Sequence, residues 1–282
     1  MAGPTPYDEI GYWSEIKLDI VREYAGAYSR ILSAQTKPRL HHIYVDAFAG
    51  SGLHLSRTSG DMVPGSPLNA LQVEPPFMEY HFIDLDRDKA DSLRTLTGRR
   101  RQVYVYEADC NQVLLDEVFP RALFEQYRRA LCLLDPYGLH LDWRVIEQAG
   151  RMKSVDLFLN FPVADMNRNV LWVDPREVSA DQEARMTRFW GDGSWREALY
   201  VVQGGLFGSD QELKVSHPND RLVAAFRERL RRVAGFREVP EPIPMRNSIV
   251  RIVYYLFFAS QKSVAAHIIR DIFRKYRTRG VL

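Results

Sequence analysis

The chain has 282 residues, of which 46% are hydrophobic and 26% are charged, and this balance excludes an intrinsically disordered protein. The formal net charge of +2 gives no general case for nucleic-acid binding, although basic runs occur at residues 98–101, 227–232 and 274–279. No apolar stretch reaches the ~18 residues of a membrane helix, and two cysteines provide neither a disulfide framework nor a metal site. We therefore expect a cytoplasmic globular protein.

The first predicted elements are a helix and a buried strand that ends in a glycine loop. Apolar side chains recur at helical spacing over residues 14–32. HHIYVDAF, residues 41–48, has the β-branched and aromatic content of a buried strand. Gly50 and Gly52 follow it, and glycines let the backbone turn sharply and let a ligand come close. Residues 53–66 have the Gly, Ser and Pro content of an extended connection.

Four further apolar runs alternate with helical segments. They cover residues 77–86, 103–111, 131–138 and 155–162, and the first three contain strand-end acids. This β-α-β pattern predicts an α/β protein with a mostly parallel seven-stranded sheet that is covered by helices on both faces. Ligands of such sheets bind beyond the carboxyl ends of the strands, so we expect the site there.

Residues 171–232 break the alternation and predict a helical insertion that covers the site, with Trp172, Trp190 and Trp195 as packing residues. A buried strand and a terminal amphipathic helix follow, and the helix is expected to pack inward through Val264, Ile268, Ile269, Ile272 and Phe273. The predicted organisation is an N-terminal helical segment (1–36), a cofactor-binding core (37–170), the insertion or cap (171–232) and C-terminal elements that complete the core (233–282).

The strand-end acids favour an adenosine ligand. Asp84 is placed to accept both hydroxyls of a ribose, and Asp109 can accept a hydrogen bond from an adenine amine. A dinucleotide site needs G-x-G-x-x-G before a helix, whereas Gly50 and Gly52 are followed by Leu53 with no third glycine at the required spacing. A P-loop lysine is also missing. S-adenosyl-L-methionine is therefore the better candidate.

The segments YVDAFAGSG, FIDLD, EADC, LLDPYGLHLDW and LFLNFPVADMNRN occur in this order and resemble the three-Cys-motif partner protein family. The resemblance covers most of the chain and implies a Rossmann-like class I methyltransferase fold whose sheet closes with a reversed strand pair. It also implies an S-adenosyl-L-methionine cofactor and a three-Cys-motif partner protein that resembles radical S-adenosylmethionine enzymes. It does not specify the methyl acceptor.

Carried onto this sequence, the resemblance implies that the glycine loop lies beneath the cofactor and that Asp84 binds the ribose. Asp86 is an alternative ribose ligand or the start of the next helix, and Asp109 either faces the adenine or caps a helix. The cofactor-binding candidates are Asp46, Phe48, Gly50, Ser51, Gly52, Asp84, Leu85, Asp86, Asp109, Cys110 and Asp135.

Asp135 and Tyr137 are the catalytic candidates, because Asp135-Pro136-Tyr137 resembles the D-P-P-Y signature of enzymes that methylate exocyclic amines. The second proline is absent, and a β-turn is the structural alternative. The polar stretch after the fifth strand shows neither helix nor strand periodicity, and we expect Arg168 to clamp an anionic group there. The substrate-binding candidates are His54, Asn160, Pro162, Asn167 and Arg168. The histidines are not spaced as a metal site.

Three functions remain open from the sequence. The first is a methyltransferase for a small molecule or peptide. The second is a methyltransferase for a nucleobase in DNA or RNA, which depends on the DPY motif and the basic runs. The third is a cofactor-binding partner protein without catalytic activity. No membrane association is expected.

Overall fold

The computed structural model describes residues 7–172, 178–203, 211–214, 217–247 and 251–277. The strands are β1 (Asp8–Ile10), β2 (His41–Asp46), β3 (Leu53–Ser56), β4 (Met62–Pro64), β5 (Glu79–Asp84), β6 (Val103–Glu107), β7 (Arg128–Leu134), β8 (Val155–Phe161), β9 (Tyr200–Gln203), β10 (Gln211–Lys214), β11 (Ile243–Arg246) and β12 (Ile252–Ala259). The helices are α1 (Tyr12–Ser33), α2 (Ser66–Leu71), α3 (Arg87–Thr97), α4 (Cys110–Val113), α5 (Trp143–Met152), α6 (Val163–Asn169), α7 (Ala180–Trp190), α8 (Trp195–Leu199), α9 (Pro218–Arg232) and α10 (Ser263–Arg277).

The main sheet has seven strands in the order β11-β12-β8-β7-β2-β5-β6. The pairs β7–β8, β2–β7, β2–β5 and β5–β6 are parallel, whereas β12 is antiparallel to both β8 and β11. Only residues 247–251 connect β11 to β12, and a parallel pair needs a crossover of a dozen or more residues. The short connection therefore makes this pair antiparallel.

These pairings correct the predicted fold class. We expected a Rossmann-like class I methyltransferase fold with a mostly parallel sheet, but two of the six neighbouring pairs are antiparallel. Two smaller sheets, β1-β3-β4 and β10-β9, add further antiparallel pairs. The described architecture is a mixed α/β fold and not a clean parallel Rossmann sheet.

The core lies on both faces of the main sheet. In β2, Ile43 and Val45 join the hydrophobic cluster that contains residues of α5, α7 and α9, while Tyr44 joins the cluster that contains residues of α1 and α10. This alternation follows from the two-residue period of a strand. The helix predicted over residues 14–32 is confirmed as α1, which buries Ile20 and Tyr24.

The segment after the glycine loop is more regular than expected. Residues 53–66 were predicted as an extended connection, but they form the antiparallel pair β3–β4, and β1 pairs in parallel with β3. Gly60 turns the chain between these strands at a φ of 78°, a conformation that glycine adopts without strain. The chain ahead of α1 is thereby held beside the edge of the sheet that carries the glycine loop.

The polar stretch after the predicted strand at residues 155–162, which is β8 in the structure, is also regular. We expected an irregular segment, but β8 extends to Phe161 and α6 begins at Val163. Val163 and Met166 are fully buried, and their three-residue spacing places both on one side of the helix. Tertiary packing of Val163 and Met166 therefore determines the structure of this segment. The polar residues around them obscure the apolar spacing in the sequence.

The insertion consists of α7, α8, the β9–β10 pair and α9. Trp190 and Trp195 are fully buried, which confirms that they are packing residues, whereas Trp172 is half-buried. In α10 the inward prediction is wrong for Val264, which is 54% exposed, because the packed stripe runs through Ala265, Ile269 and the residues beyond them. No helix in the described ranges is long and apolar enough to cross a membrane.

Candidate functional site

The glycine loop follows β2 and is bound to the neighbouring elements. Gly50 and Gly52 have φ values of 64° and 88°, which L side chains rarely adopt. The Gly50 amide donates to Asp84 Oδ2 at 2.8 Å, and Ser92 Oγ donates to the Ser51 carbonyl at 3.0 Å. A Cβ at Gly52 would lie 3.0 Å from Leu93 Cδ2. The loop therefore needs its glycines for both conformation and close packing.

A cleft of about 610 Å³ opens beside this loop, at the carboxyl ends of β2, β5 and β6. The segment after β7 and one side of α7 form its other walls. Of the predicted site residues, those that line the cleft are Phe48, Asp84, Leu85, Asp109, Cys110 and Tyr137. The volume lies within the range of small-ligand sites.

Asp84 and Asp86 have different roles in the structure. Asp84 lines the cleft, and its second oxygen accepts the Asp86 amide at 2.9 Å, so backbone amides orient both oxygens. Each carboxylate oxygen has two lone pairs, so both can still accept a ligand hydroxyl. Asp86 instead caps α3 by accepting the amides of Asp88 and Lys89. Its side chain is a helix cap outside the cleft lining.

Asp109 combines the two roles considered for it. It caps α4 by accepting the amides of Asn111 and Gln112, and it also lines the cleft. Asn111 fixes the facing wall, because its Nδ2 donates to the His140 carbonyl at 3.1 Å and its Oδ1 accepts the Asp142 amide at 2.7 Å. The two walls are thus held together by one side chain.

Cys110 lines the cleft as a neutral thiol. Burial, followed by the negative charge of Asp109 and Asp142, raises the pKa of Cys110 to about 12. The thiolate is the nucleophilic form of cysteine, so this residue is not activated for covalent catalysis at neutral pH.

Asp135 lies in a buried charge cluster that includes Lys17 and Asp46. Lys17 Nζ forms an ion pair with Asp135 Oδ2, and Asn160 Nδ2 donates to Asp135 Oδ1 at 2.7 Å. Burial alone would lower the pKa of Lys17, but the Asp135 carboxylate outweighs this effect and raises it. Lys17 also lies 5.7 Å from the centre of the Tyr254 ring. The ammonium therefore stays charged throughout the physiological pH range.

Asp46 is fully buried at the end of β2, where it accepts the Phe48 amide at 3.4 Å. Burial, and then the charge of Asp135, raises its pKa to about 7. Asp135 pairs directly with the Lys17 ammonium, whereas Asp46 has no ion pair with it among the described residues. Because the pKa of Asp46 is about 7, the cluster beside the glycine loop changes from neutral to a net charge of −1 as the pH rises through neutrality.

Sequence reasoning missed Lys17, although the chain contained a signal for it. Lys17 falls on the helical stripe of Val21, Tyr24 and Tyr28, whose members point toward the sheet. A lysine on an apolar stripe is almost never buried without a partner. Such a position predicts a buried carboxylate opposite it, which is Asp135.

Tyr137 forms the outer wall of the cleft and is 62% exposed. Its hydroxyl donates to Asp8 Oδ2 at 3.1 Å, and Lys89 Nζ lies 2.7 Å from the same oxygen. Gly138 has a φ of 62°, and a Cβ there would lie 3.0 Å from Asp165 Oδ2. The DPYG segment is therefore attached to the first strand on one side and to α6 on the other.

His54 lies on β3 above the loop, and its ring is the nearest group to where a Cβ at Gly50 or Gly65 would stand. Burial, followed by the charge of Lys17, lowers its pKa. Its Nδ1 is buried and has no hydrogen-bond partner among the described residues. His54 is therefore neutral at pH 7 and retains a nitrogen that can accept a proton.

Neither His54 nor any other substrate candidate lines the cleft. Asn160 and Pro162 are buried, and Asn160 contacts Asp135. Asn167 Nδ2 donates to Asn219 Oδ1 at 2.8 Å, and Arg168 is exposed; neither lines the cleft. The arginines that do line it come from α7.

These α7 arginines are Arg185 and Arg188, which were missed. Arg185 pairs with Asp181 at 2.9 Å, and Arg188 Nε lies 3.7 Å from Asp142 Oδ1. Their three-residue spacing in a helix predicted to cover the site was the available signal. The ranges that the structure covers contain no group of three or more His, Cys, Asp or Glu side chains that could hold a metal ion.

No family model and no curated protein matches the chain. Among solved structures, it is similar to the crystal structure of protein LPL1258 from Legionella pneumophila str. Philadelphia 1, described by the family model DUF519. The TM-score is 0.51 at 12% sequence identity, and the match covers 93% of both chains. At this identity the likeness concerns the fold alone. It supports the correction of the fold class, and the resemblance to three-Cys-motif partner proteins stays a prediction.

Proposed function

We propose that this protein is an S-adenosyl-L-methionine-dependent methyltransferase that acts on a small-molecule or peptide acceptor. The observation that carries the proposal is that Asp84 and Asp109 line one cleft from the ends of the adjacent strands β5 and β6. Asp84 would accept the ribose hydroxyls, and Asp109 would accept the adenine amine. The exposed Leu85 offers the base an apolar surface between them.

The charge cluster supports the same cofactor. S-adenosyl-L-methionine carries a sulfonium, an ammonium and a carboxylate, so its net charge is positive and favours a negative environment. Asp46 and Asp135 exceed Lys17 by one negative charge when ionised, and Asp46 directly precedes the loop that would lie beneath the cofactor. A negatively charged ligand would not be attracted by this arrangement.

The chain's own residues would align the acceptor and accept its proton. When bound, the cofactor would supply an electrophilic methyl group to the acceptor atom and would leave as its demethylated product. His54 would be the base, since it is neutral and its unpartnered Nδ1 lies buried beside the loop, outside the cleft lining, so the acceptor would have to reach past the loop to it. Asp135 would act on the acceptor only in competition with Lys17 and Asn160, which already occupy its two oxygens.

The nucleobase alternative has less support. Several basic residues of these runs in α9 and α10 already pair with acids, as Arg229 does with Asp192 at 2.7 Å and Lys275 with Glu23 at 2.7 Å.

A three-Cys-motif protein remains the proposed partner on the basis of the family resemblance. The non-catalytic alternative would keep the cofactor site and lack turnover.

Calorimetry with S-adenosyl-L-methionine and its demethylated product tests the cofactor. We expect the parent protein to bind both and Asp84→Ala to weaken binding by at least about tenfold, because charge-assisted hydrogen bonds are each worth roughly 1.5–3 kcal/mol. Asp86→Ala is the matched control, since it removes a helix cap from the same turn without removing a cleft residue. No binding by the parent protein, or equal losses in the two variants, would overturn the proposal.

A gel-shift titration separates the acceptor classes. Phosphate contacts make nucleic-acid binding fall steeply with salt, so we expect only weak and unselective binding at physiological ionic strength. Tight, sequence-selective or structure-selective binding under these conditions would replace the small-molecule or peptide acceptor with a nucleobase.

A further inference from the structure

A second cavity, of about 180 Å³, lies at the opposite edge of the main sheet between α1 and α10. Arg129 at the start of β7 and Ser154 immediately before β8 line it. Parallel strands begin at one edge of a sheet and end at the other, so this cavity is on the far side from the cleft. None of its lining residues belongs to the proposed cofactor site.

The walls of this cavity are apolar. Tyr28, Ile31 and Leu32 face it from α1, and Val264 and Ile268 face it from α10. Ile31 is 38% exposed and Val264 is 54% exposed, so apolar surface at the mouth is left in water. A ligand with an apolar body would cover this surface and gain its transfer free energy.

The rim of the cavity is cationic. Lys153, Lys262 and Arg129 all line it, and no carboxylate in the described ranges lies within ion-pair distance of any of them. The Arg129 guanidinium donates to the backbone carbonyls of Phe124 and Arg128, and it lies 3.9 Å from the centre of the Phe124 ring. Its position is therefore fixed, and Glu125 and Asp156 act on its charge only from beyond ion-pair distance among the described residues.

One carboxylate, Asp156, also lines the cavity but does not neutralise the rim. Its oxygens accept hydrogen bonds from Tyr24 Oη and Ser260 Oγ, each at 2.6 Å. Burial raises the pKa of Asp156 to about 6, so part of its population is neutral near physiological pH. Three cations against one partly protonated acid leave a net positive cavity.

A buried polar atom without a partner also lines the cavity. Ser154 is 3% exposed, and its hydroxyl has no hydrogen-bond partner among the residues that the structure describes. Buried hydroxyls are normally paired, so an orphan in a cavity wall indicates a missing acceptor or donor. The cavity also borders the first turn of the fifteen-residue helix α10, where the helix dipole favours an anion.

We propose that this cavity is a binding site for a small amphipathic carboxylate with a body of about one aromatic ring. A cavity of about 150 Å³ holds one benzene ring, so 180 Å³ admits a ring and a short chain. The ring lies between Ile31 and Ile268. The carboxylate lies inside the cavity against the adjacent residues Lys153 and Ser154, which supply a charge and a hydrogen bond, and Lys262 supplies a second charge.

Ligand-observed NMR titration with 3-phenylpropionate tests the site, with 3-phenylpropan-1-ol and 3-phenylpropylamine as neutral and cationic analogues. We expect the carboxylate to bind with a Kd of about 1 mM or tighter and at least tenfold more tightly than the amine. The Lys153→Gln/Lys262→Gln variant should weaken carboxylate binding about tenfold, because both charged contacts are lost.

Arg151→Gln is the matched control, since Arg151 is an exposed cation of the neighbouring helix α5 that pairs with Glu147 and does not line the cavity. Val264→Asp, at an exposed position, adds a negative charge at the mouth and should also abolish binding. The proposal is overturned by no binding at 10 mM, by equal binding of the amine, or by equal losses in the control and the double variant.

Discussion

Buried charge is paired differently at the carboxyl ends of the parallel strands, here called the carboxyl edge, and at their amino ends, here called the amino edge. At the carboxyl edge, protein groups already occupy the carboxylates: Asp84 accepts backbone amides, and Asp135 pairs with Lys17. At the amino edge, Asp156 accepts neutral hydroxyls, and the lysines beside it form no ion pair with an acid in the part of the chain that the structure describes. At the carboxyl edge the side chains are already oriented by contacts within the protein, whereas at the amino edge the lysine charges are available to a ligand. Substitutions at the two edges should therefore differ in size and in pH dependence.

The largest expected effect is at the carboxyl edge. Lys17→Met should lower the free energy of unfolding by roughly 3 kcal/mol, because it leaves the half-buried Asp135 without its cation. Urea denaturation at neutral pH measures the loss. Lys89→Met is the matched control, since the Lys89–Asp8 pair is more exposed and should contribute about 1 kcal/mol or less.

A double-mutant cycle sharpens this prediction. Adding Asp135→Asn to Lys17→Met removes the stranded charge and should recover part of the lost stability. If the free energy of unfolding of Lys17→Met is within about 1 kcal/mol of the parent value, the ion pair does not organise the carboxyl edge. The contrast between the two edges would then be wrong.

The pH dependence of stability depends on Asp46. Its pKa is about 7 in the folded protein and near 3.9 when unfolded, so between these values the folded state holds a proton that the unfolded state releases. Stability from this group therefore falls as pH rises from about 4 to 7 and is constant above. Asp46→Asn should remove this slope. The free energy of unfolding of the variant, relative to that of the parent protein, should therefore rise by about 2–3 kcal/mol from pH 4.5 to pH 8. Parallel stability curves for the two proteins would contradict this.

A smaller effect is expected at the amino edge. Tyr24→Phe removes a hydroxyl donor from Asp156 and should cost about 1–2 kcal/mol at pH 8. The cost should shrink at pH 5, because Asp156, with a pKa of about 6, is then mostly protonated and needs the donor less. Tyr28→Phe, one turn along α1, is the control. Thermal unfolding at both pH values makes the comparison, and a loss that is the same at both would exclude an effect through ionised Asp156.

The smallest effect is expected for Arg168→Ala. This side chain is exposed and does not line the cleft, so stability should change by no more than about 0.5 kcal/mol. Cofactor affinity should also stay within twofold by calorimetry. A tenfold loss would show that α6 contributes to the carboxyl edge despite its position.

Periodicity located most of the elements, because burial on one side leaves a clear pattern in long segments. It identified α1 and the strands β2, β5, β7 and β8, whose apolar runs are continuous. It failed for β1, β3 and α6, which are short and whose structure is decided by neighbours distant in sequence. The reversed strand pair that the family resemblance implied does occur as the antiparallel pair β11–β12, and the short connection between these strands contained the same signal.

Candidate site residues were predictable where local sequence alone placed them. Asp84 and Asp109 follow apolar runs, so their arrival at one cleft required only parallel strands. The partner of Asp135 could not be assigned in this way, since Lys17 lies 118 residues earlier in the chain. The α7 arginines depended on where the insertion folds back, which no strand pattern specifies.

The helix α1 has a consequence for how the protein is made. The first and last described helices, α1 and α10, pack on the same face of the sheet, and Lys275 Nζ reaches Glu23 at 2.7 Å across 252 residues of sequence. During synthesis α1 leaves the ribosome first, but its apolar stripe cannot be fully covered until α10 has emerged. Ile20 and Tyr24 therefore remain without their final surroundings for nearly the whole translation time. For the same reason, a fragment that starts after residue 36 would expose the part of this sheet face that α1 covers, so the unit that folds must include both α1 and α10.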